Sequence, residues 1–258
     1  MTTPAALVAQ AADLLRRSRA TVALTGAGIS TPSGIPDFRS AGSGLWESAD
    51  PFEVASLASF RYHPEKFYAW VRPLVVTMHN AQPNPAHYAL AALEAAGRLE
   101  LVVTQNIDAL HTRAGSRRVI EIHGHVREAT CGNCHRHWPG PPIFEKFLQD
   151  GQVPRCADCG GVLKPDVILM GEQLPEALLR QAQTAVKNCE VMLVAGSSLE
   201  VFPAADLPLK AITYGARLIL VNITPTYLDE QAAVVLHGDV AEILPQLAEA
   251  VLEPAHAP

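Results

Sequence analysis

Four cysteines in two brackets, Cys131-Gly-Asn-Cys134 and Cys156-Ala-Asp-Cys159, constrain this chain more than any other feature. Residues 135–155 separate the brackets, which is the layout of a zinc ribbon. Four thiolates complete a tetrahedral Zn2+ and leave no open position for water or substrate, so a metal held this way builds structure and does no chemistry. The rival reading is a pair of disulfides. It is disfavoured because the N-terminus lacks the apolar core of a secretory signal and because Cys189 makes the cysteine count odd. A reducing, cytoplasmic setting is therefore expected. His135 and His137 are the alternative ligands if a sulfur is displaced. Cys189, just before the apolar run Val191–Ala195, reads as buried and structural. The ribbon marks an inserted lobe, and the reaction has to be sought outside it.

Elsewhere short apolar runs alternate with helical patterns. The runs Thr21–Thr25, Leu101–Thr104, Val119–Ile122, Val191–Ala195 and Leu218–Val221 are continuous, as strands buried on both faces should be. Helices are expected from the Thr3-Pro4 start to about Arg17, and over Ala86–Ala96, Pro175–Lys187 and Pro203–Tyr214. This rhythm predicts an α/β fold, a Rossmann-like, doubly wound parallel sheet with helices on both sides. The stretch from about Ser30 to Pro85, rich in Gly, Pro and aromatics, interrupts it, as does the cysteine segment. The expected organisation is one catalytic unit over 1–258. Its large lobe spans about 1–30, 86–124 and 166–258. Its small lobe joins a helical insertion over 31–85 to the ribbon over 125–165.

Composition narrows the class. Hydrophobic residues make up 48% and charged residues 18%, which excludes a disordered chain, and no apolar run has the length of a membrane span. The net charge of −6, without a basic cluster, argues against a nucleic-acid partner.

The first strand opens through Gly26-Ala-Gly28-Ile-Ser30, where closely spaced glycines let backbone amides approach a pyrophosphate. Taken alone the motif is ambiguous with a tight structural turn. Thr31 stands where a third fingerprint glycine belongs, and no acidic residue follows about twenty positions on to hold a ribose. Other expected strand ends are also small or polar: Thr104-Gln-Asn-Ile-Asp108, His123-Gly124, Gly196-Ser-Ser-Leu199 and Val221-Asn222. Sheets of this kind bind ligands at the carboxyl ends of their strands, so these ends together predict a cleft.

In their order and spacing, GAGIS at 26–30, GIPDFR at 34–39, TQNID at 104–108, HG at 123–124, the cysteine brackets, and GSSL at 196–199 with VN at 221–222 resemble the sirtuin family. The likeness runs from about Val22 to Pro245, and the wording of 104–116 and 203–209 is most similar to compact bacterial members. The resemblance implies NAD+-dependent removal of acyl groups, acetyl first, from protein lysines. Nicotinamide and O-acyl-ADP-ribose are released, and one structural Zn2+ sits on Cys131, Cys134, Cys156 and Cys159. His123 matches the general base that activates a ribose hydroxyl, a task suited to an imidazole. Asn106 and Asp108 match residues that hold the nicotinamide ribose and carboxamide. The cofactor set further includes Gly26, Ala27, Gly28, Ile35, Asp37, Phe38, Arg39, Gln105, Ile107, Gly196, Ser197, Ser198, Asn222 and Val240. Ser197 and Ser198 are expected to open a helix. Asn222 stands in for the missing ribose acid.

The implied acyl-lysine site comprises Val167, Ile168, Met170, Gly171, Glu172 and Val201. Peptide is added as a strand between 167–172 and 198–202, a mode that demands little sequence selectivity. Sirtuins that prefer succinyl or malonyl groups carry Tyr-x-x-Arg. Here Tyr68-Ala-Trp-Val71 lacks it, with Arg72 one residue late and so turned by about 100°. Uncharged acyl groups are therefore expected. Acylated proteins are the implied partners, and the chain is expected to be monomeric. Other function classes weighed are a mono-ADP-ribosyltransferase using the same pocket, a non-catalytic zinc-ribbon module and a nicotinamide oxidoreductase. The last lacks both the ribose acid and a hydride-accepting substrate site.

Overall fold

The computed structural model describes residues 5–37, 44–45 and 49–253. In chain order its main elements are α1 (Ala5–Arg17), β1 (Thr21–Thr25), α2 (Pro51–Val54), α3 (Leu57–Tyr62), α4 (Pro64–Asn80), α5 (Pro85–Ala95), β2 (Leu101–Thr104), α6 (Leu110–Arg113), β3 (Val119–Glu121), β4 (Gly124–Cys131), β5 (His137–Pro139), α7 (Gly140–Asp150), β6 (Leu163–Val167), α8 (Glu176–Asn188), β7 (Val191–Ala195), α9 (Leu207–Thr213), β8 (Arg217–Asn222), β9 (Val234–His237) and α10 (Val240–Leu252). They divide into two compact units. One holds Met1–Ser33, Gln82–Ile122 and Ala177–Pro258; the other holds Gly34–Ala81 and His123–Glu176.

The first unit is built on a six-stranded parallel sheet in the order β3-β2-β1-β7-β8-β9. Every residue of β1, β2 and β7 is buried, which explains why these strands are apolar without alternation. Alternate residues, among them Ala23, Val102, Leu193, Ile219 and Leu236, point to one face and pack with Leu15 of α1, Leu90 and Leu93 of α5, and Leu244 and Leu247 of α10. Each of the buried valine, leucine and isoleucine side chains contributes about 1.5–3 kcal/mol. β9 and α10 extend this layer beyond the strands expected from sequence. β9 carries the apolar run Val234–Leu236 yet alternates between buried and more exposed residues, as an edge strand does. Helix α5 starts cleanly because the Asn84 side chain accepts from Ala86 N at 2.9 Å, Pro85 occupies the first turn, and Nδ1 of His87 accepts from Asn84 N at 3.3 Å.

Strand order reverses between β1 and β7. From β1 the chain winds outward to β2 and β3, and from β7 it winds the other way to β8 and β9. Sheets with such a switch point present a crevice where the two neighbouring strands end. Register puts Thr25 beside both Thr104 and Ala195, so the edge of that crevice is made by residues 25–28, 104–108 and 195–198.

The second unit contains a three-stranded antiparallel sheet, β5-β4-β6, with the four bracket cysteines at one end, and the helices α2, α3, α4 and α7. Phe60, Phe67, Tyr68 and Phe147 form an aromatic cluster with ring centroids 5.1–6.1 Å apart. The Tyr68 hydroxyl donates to the Leu163 carbonyl, and burial raises its pKa beyond the usual phenol range. Gly124 opens β4 at φ +80°, and a Cβ there would lie 2.1 Å from the Asp166 carbonyl oxygen, so only glycine fits this turn. No helix among the described residues is long and apolar enough to cross a membrane.

Candidate active site

At the switch point of the first unit, β1 runs into two 3-10 turns, Ala27–Ile29 and Thr31–Ser33, rather than the α-helix of a dinucleotide fingerprint. Their position is fixed by backbone pairing across the switch: Gly26 N donates to Ala195 O at 3.3 Å and Gly28 N to Gly196 O at 2.9 Å. Gly196 itself sits at φ +62°, and a Cβ on it would meet Ile29 N at 2.3 Å. The glycines at this edge thus allow two loops to touch through their backbones.

On the neighbouring strand end, Asn106 Nδ2 donates to Gly26 O at 3.1 Å and to Ser30 Oγ at 3.0 Å. Ser30 Oγ donates to Asp108 Oδ2 at 2.7 Å, and Leu110 N donates to Asp108 Oδ1 at 2.9 Å. Burial pushes the Asp108 pKa up, against the lowering effect of the Leu110 and Ser30 hydrogen bonds, and the charge of Glu121 adds to the rise. Gln105 Nε2 donates to Ser197 Oγ at 2.9 Å. Gly26, Ala27, Gly28, Gln105, Asn106, Ile107, Asp108, Gly196 and Ser197 therefore meet at one edge of the sheet.

The rest of the expected cofactor set is placed less uniformly. Ser197 is buried and Ser198 exposed, but neither opens a helix: Leu199 follows at φ +58° and the first helical turn begins at Ala204. Asn222 closes β8, where its Nδ2 donates to Thr224 O at 2.8 Å and its carbonyl contacts Nδ1 of His237. Val240 is the first residue of α10 and its side chain lies in the main core. Ile35 is buried and Asp37 accepts from Leu45 N through its carbonyl, both in the second unit. Phe38 and Arg39 fall outside the described residues.

Behind this edge lies a buried polar layer to which the sequence motifs contribute only Thr104 and His111, neither of them given a role by the motif. Thr25 Oγ1 donates to Thr104 Oγ1 at 2.9 Å, His111 Nε2 is 2.9 Å from Thr25 Oγ1, and Thr104 Oγ1 accepts from Asn106 N at 3.1 Å. His87 packs edge-on against His111, centroids 4.8 Å apart. Asn84 Nδ2 donates to Ile29 O at 2.8 Å and to Ser33 Oγ at 2.9 Å. The one signal that points here is Asn84-Pro85 ahead of an apolar run, a helix-start pattern.

In the second unit His123 occupies the turn that leads into β4, half-buried, and its carbonyl accepts from Ile168 N at 2.8 Å. Val167 ends β6 and is buried; Ile168 and Met170 are half-buried, and Gly171 is exposed. Met170 pairs on both sides of its backbone, donating to Ala55 O at 2.9 Å and accepting from Leu57 N at 2.9 Å. Glu172 forms an ion pair with Lys164. Val201, in the first unit, is half-buried.

The donor set for a metal is complete in the ribbon. Cys131, Cys134, Cys156 and Cys159 cluster with their sulfurs within 4.8 Å of one another. Cys131 and Cys159 sulfurs are 3.5 Å apart, and those of Cys134 and Cys156 are 3.7 Å apart. Sulfurs at about 2.3 Å from a tetrahedral zinc lie roughly 3.8 Å from each other, so the cluster fits that ion. His137 contacts Thr130 and Asp166 instead, and His135 is exposed.

Comparison with known proteins agrees with this architecture. The Sir2 family model matches residues 26–203. NAD-dependent protein deacylase 2 of Archaeoglobus fulgidus is 44% identical over 245 residues, covering 95% of this chain and 96% of that protein. A structure solved for the mechanism and regulation of Sir2 enzymes superposes with a TM-score of 0.91 at 44% identity, covering 95% of this chain and 98% of that one. A Sir2 structure holding a deacetylated p53 peptide and 3′-O-acetyl-ADP-ribose gives a TM-score of 0.88 at 42% identity, covering 93% and 96%. The chain belongs to the Sir2 family.

Proposed function

We propose that this chain removes acyl groups, acetyl preferentially, from protein lysine side chains, with NAD+ as the co-substrate. The observation that carries this reading is the hydrogen-bonded set Ser30, Asn106 and Asp108 beside the Gly26–Gly28 turns at the switch point of the sheet. Relatives over nearly the full chain support it, being NAD-dependent protein deacylases or Sir2 proteins holding deacetylated peptide and acetyl-ADP-ribose.

When bound, the dinucleotide would supply a glycosidic bond that breaks to free nicotinamide, its ribose carbon passing to the acyl-lysine carbonyl oxygen. Asn106 directs both Nδ2 hydrogens to Gly26 O and Ser30 Oγ, so its Oδ1 is the atom that suits a ribose hydroxyl, as an acceptor, and Asp108 and Gln105 suit the neighbouring polar groups. The N–H groups of Gly26, Gly28 and Gly196 pair with backbone carbonyls, so the amides of Ala27, Ser197 and Ser198 are the ones that suit the diphosphate, and Phe38 and Arg39 are assigned to screening water and facing that charge. Asn222 is assigned to the adenosine ribose. His123 is assigned as the base that would take a proton from a ribose hydroxyl, so that the hydroxyl oxygen could bond to the acyl carbon. With water, the bond from that carbon to the lysine nitrogen then breaks and the free amine leaves. Segments 167–172 and 198–202 are assigned to main-chain pairing with the peptide, with Val167, Ile168, Met170 and Val201 around the lysine stem. The four-cysteine site holds Zn2+ as structure only. Reduced zinc thiolates suit a cytoplasmic location, and a monomer is the expected form.

The test is mass spectrometry of the zinc-replete protein with NAD+ and an acetyl-lysine peptide. Nicotinamide, free lysine peptide and O-acetyl-ADP-ribose should form together. Replacement His123→Ala should lower the rate by about 10²–10⁴ with the melting temperature unchanged. ADP-ribose attached to a protein side chain, with no acyl transfer, would instead indicate a transferase.

A further inference from the structure

We propose that Lys164 is the positioning residue for deacylation, holding the turn of His123 in register with the peptide-binding segment 167–172. The inference rests on the function proposed above, but its structural basis lies wholly within the second unit.

Lys164 sits on β6, opposite Thr130 of β4. An ammonium carries three N–H donors, and here three acceptors face Nζ: Val167 O at 2.7 Å, Glu172 Oε2 at 3.0 Å and Pro165 O at 3.3 Å. The two side chains are only 18% and 19% exposed, so the ion pair is largely withdrawn from solvent. Glu172 Oε2 also accepts from Leu169 N at 2.7 Å, and Glu172 N donates to Leu169 O at 3.0 Å. The carboxylate therefore folds the segment back on itself.

The peptide unit between Val167 and Ile168 is gripped at both ends. Its carbonyl takes the Lys164 ammonium, and its N–H donates to the carbonyl of His123 at 2.8 Å. A cation on the carbonyl polarises the amide and makes its N–H a stronger donor. The same ammonium thus fixes the backbone of His123 through one amide and the shape of 169–172 through Glu172. Gly124, next to His123, approaches Asp166 so closely that the turn tolerates little displacement. Lys164 acts through these neighbours and is not assigned any contact with substrate.

The experiment is steady-state kinetics on Lys164→Met and Lys164→Arg with an acetyl-lysine peptide and NAD+. Met keeps the apolar stem and removes the charge. It should raise the KM for peptide, and lower kcat/KM for peptide, by about ten- to a hundredfold while the KM for NAD+ stays within about twofold. Arg should restore most of the loss. Unchanged peptide kinetics in Lys164→Met would overturn the proposal, and so would an equal rise in both KM values, which marks general loosening. If Lys164→Met does not fold, Glu172→Gln decides. It keeps the shape and an acceptor for Leu169 N–H, and should shift the peptide KM in the same direction; an unchanged value overturns the proposal. Absence of deacylation by the unmodified protein would instead refute the proposed function.

Discussion

Ser30 Oγ donates to Asp108 Oδ2 at 2.7 Å inside a buried carboxyl environment at the end of β2. Burial favours the neutral acid and raises the Asp108 pKa, while the bonds from Leu110 and Ser30 favour the carboxylate. Ser30→Ala removes one of those bonds. If ionised Asp108 holds the nicotinamide end of the dinucleotide, the acid limb of kcat/KM against pH should move to higher pH in this variant. Activity at neutral pH should fall about tenfold, as expected for a lost hydrogen bond to a charged group. The stability sign is opposite to that of a salt-bridged aspartate. With the folded pKa above the unfolded one, the native state binds more protons, so stability declines as pH rises from the unfolded value through the folded one. Asp108→Asn should therefore gain in urea midpoint relative to the parent on going from acid to neutral pH, while losing activity.

The histidine pair behind the site gives a second pH dependence. Burial pushes the pKa of His87 down to about 4 and that of His111 down to about 3, the latter helped by the neighbouring His87. Both are neutral in the native state and would charge on unfolding below about 6.5. The unfolded chain then binds more protons, so stability falls as pH drops from about 6.5 toward 4, by a few kcal/mol in all. Urea midpoints measured between pH 4 and 8 should show this slope, and His111→Gln should flatten it although its midpoint at pH 8 is lower. An identical slope in the parent and in His111→Gln between pH 5 and pH 7.5 would contradict this account.

The legible parts of this molecule are those in which local chemistry and burial agree. β1, β2, β7 and β8 read as strands because both of their faces are covered. The cysteine brackets read as a metal site because their spacing matches the ribbon pattern, and the sulfurs do come together. β9 escapes a sequence reading although Ala232–Leu236 is apolar, because the run is short, ends at exposed His237 and lies on the sheet edge, where a strand alternates in burial. Helix α7, inside the ribbon, is hidden by Pro141 and Pro142, which look like a loop yet sit in a first turn that lacks N–H partners anyway. The expected helix over 203–214 breaks into a 3-10 turn and a short α-helix, preceded by the left-handed residue Leu199. The buried polar layer is illegible for a different reason. A lone histidine or asparagine acquires meaning only from its neighbours, and His111 meets Thr25 across 86 positions of sequence while Asn84 meets Ile29 across 55.

The ribbon should be metal-dependent and inert in the reaction. Backbone N–H groups of Cys134 and Asn133 point at the Cys131 sulfur and lower its pKa, which favours the thiolate that a zinc ion takes. One zinc per chain is expected by elemental analysis. Chelation, or Cys131→Ser, should lower the melting temperature substantially, since structural zinc sites supply on the order of 10 kcal/mol of binding free energy to folding. Cys189→Ser should leave zinc content unchanged, because that buried thiol, raised to about 11, donates to the Val186 carbonyl at the end of the preceding helix. A zinc-free protein that melts like the parent would remove the structural role.

Acyl-group preference can be argued from where two side chains are spent. Tyr68 is almost wholly buried in the aromatic cluster and its hydroxyl is bound to the Leu163 carbonyl. Arg72 donates from its Nη2 to the Leu148 carbonyl at 2.7 Å and lies 6.0 Å from the Phe147 ring centroid. Releasing Tyr68 to meet an acyl carboxylate would forfeit a buried hydrogen bond and its ring packing, a cost of about 3 kcal/mol or more. A succinyl carboxylate would then enter without Tyr68 or Arg72 as a partner, which disfavours it by desolvation. Acetyl-lysine peptide should therefore be turned over with a kcat/KM at least about a hundredfold above that of succinyl-lysine peptide, the equivalent of about 2.7 kcal/mol. Arg72→Ala should leave the acetyl rate near that of the parent and lower only stability. Comparable rates on the two peptides would mean that another cation serves the acyl site.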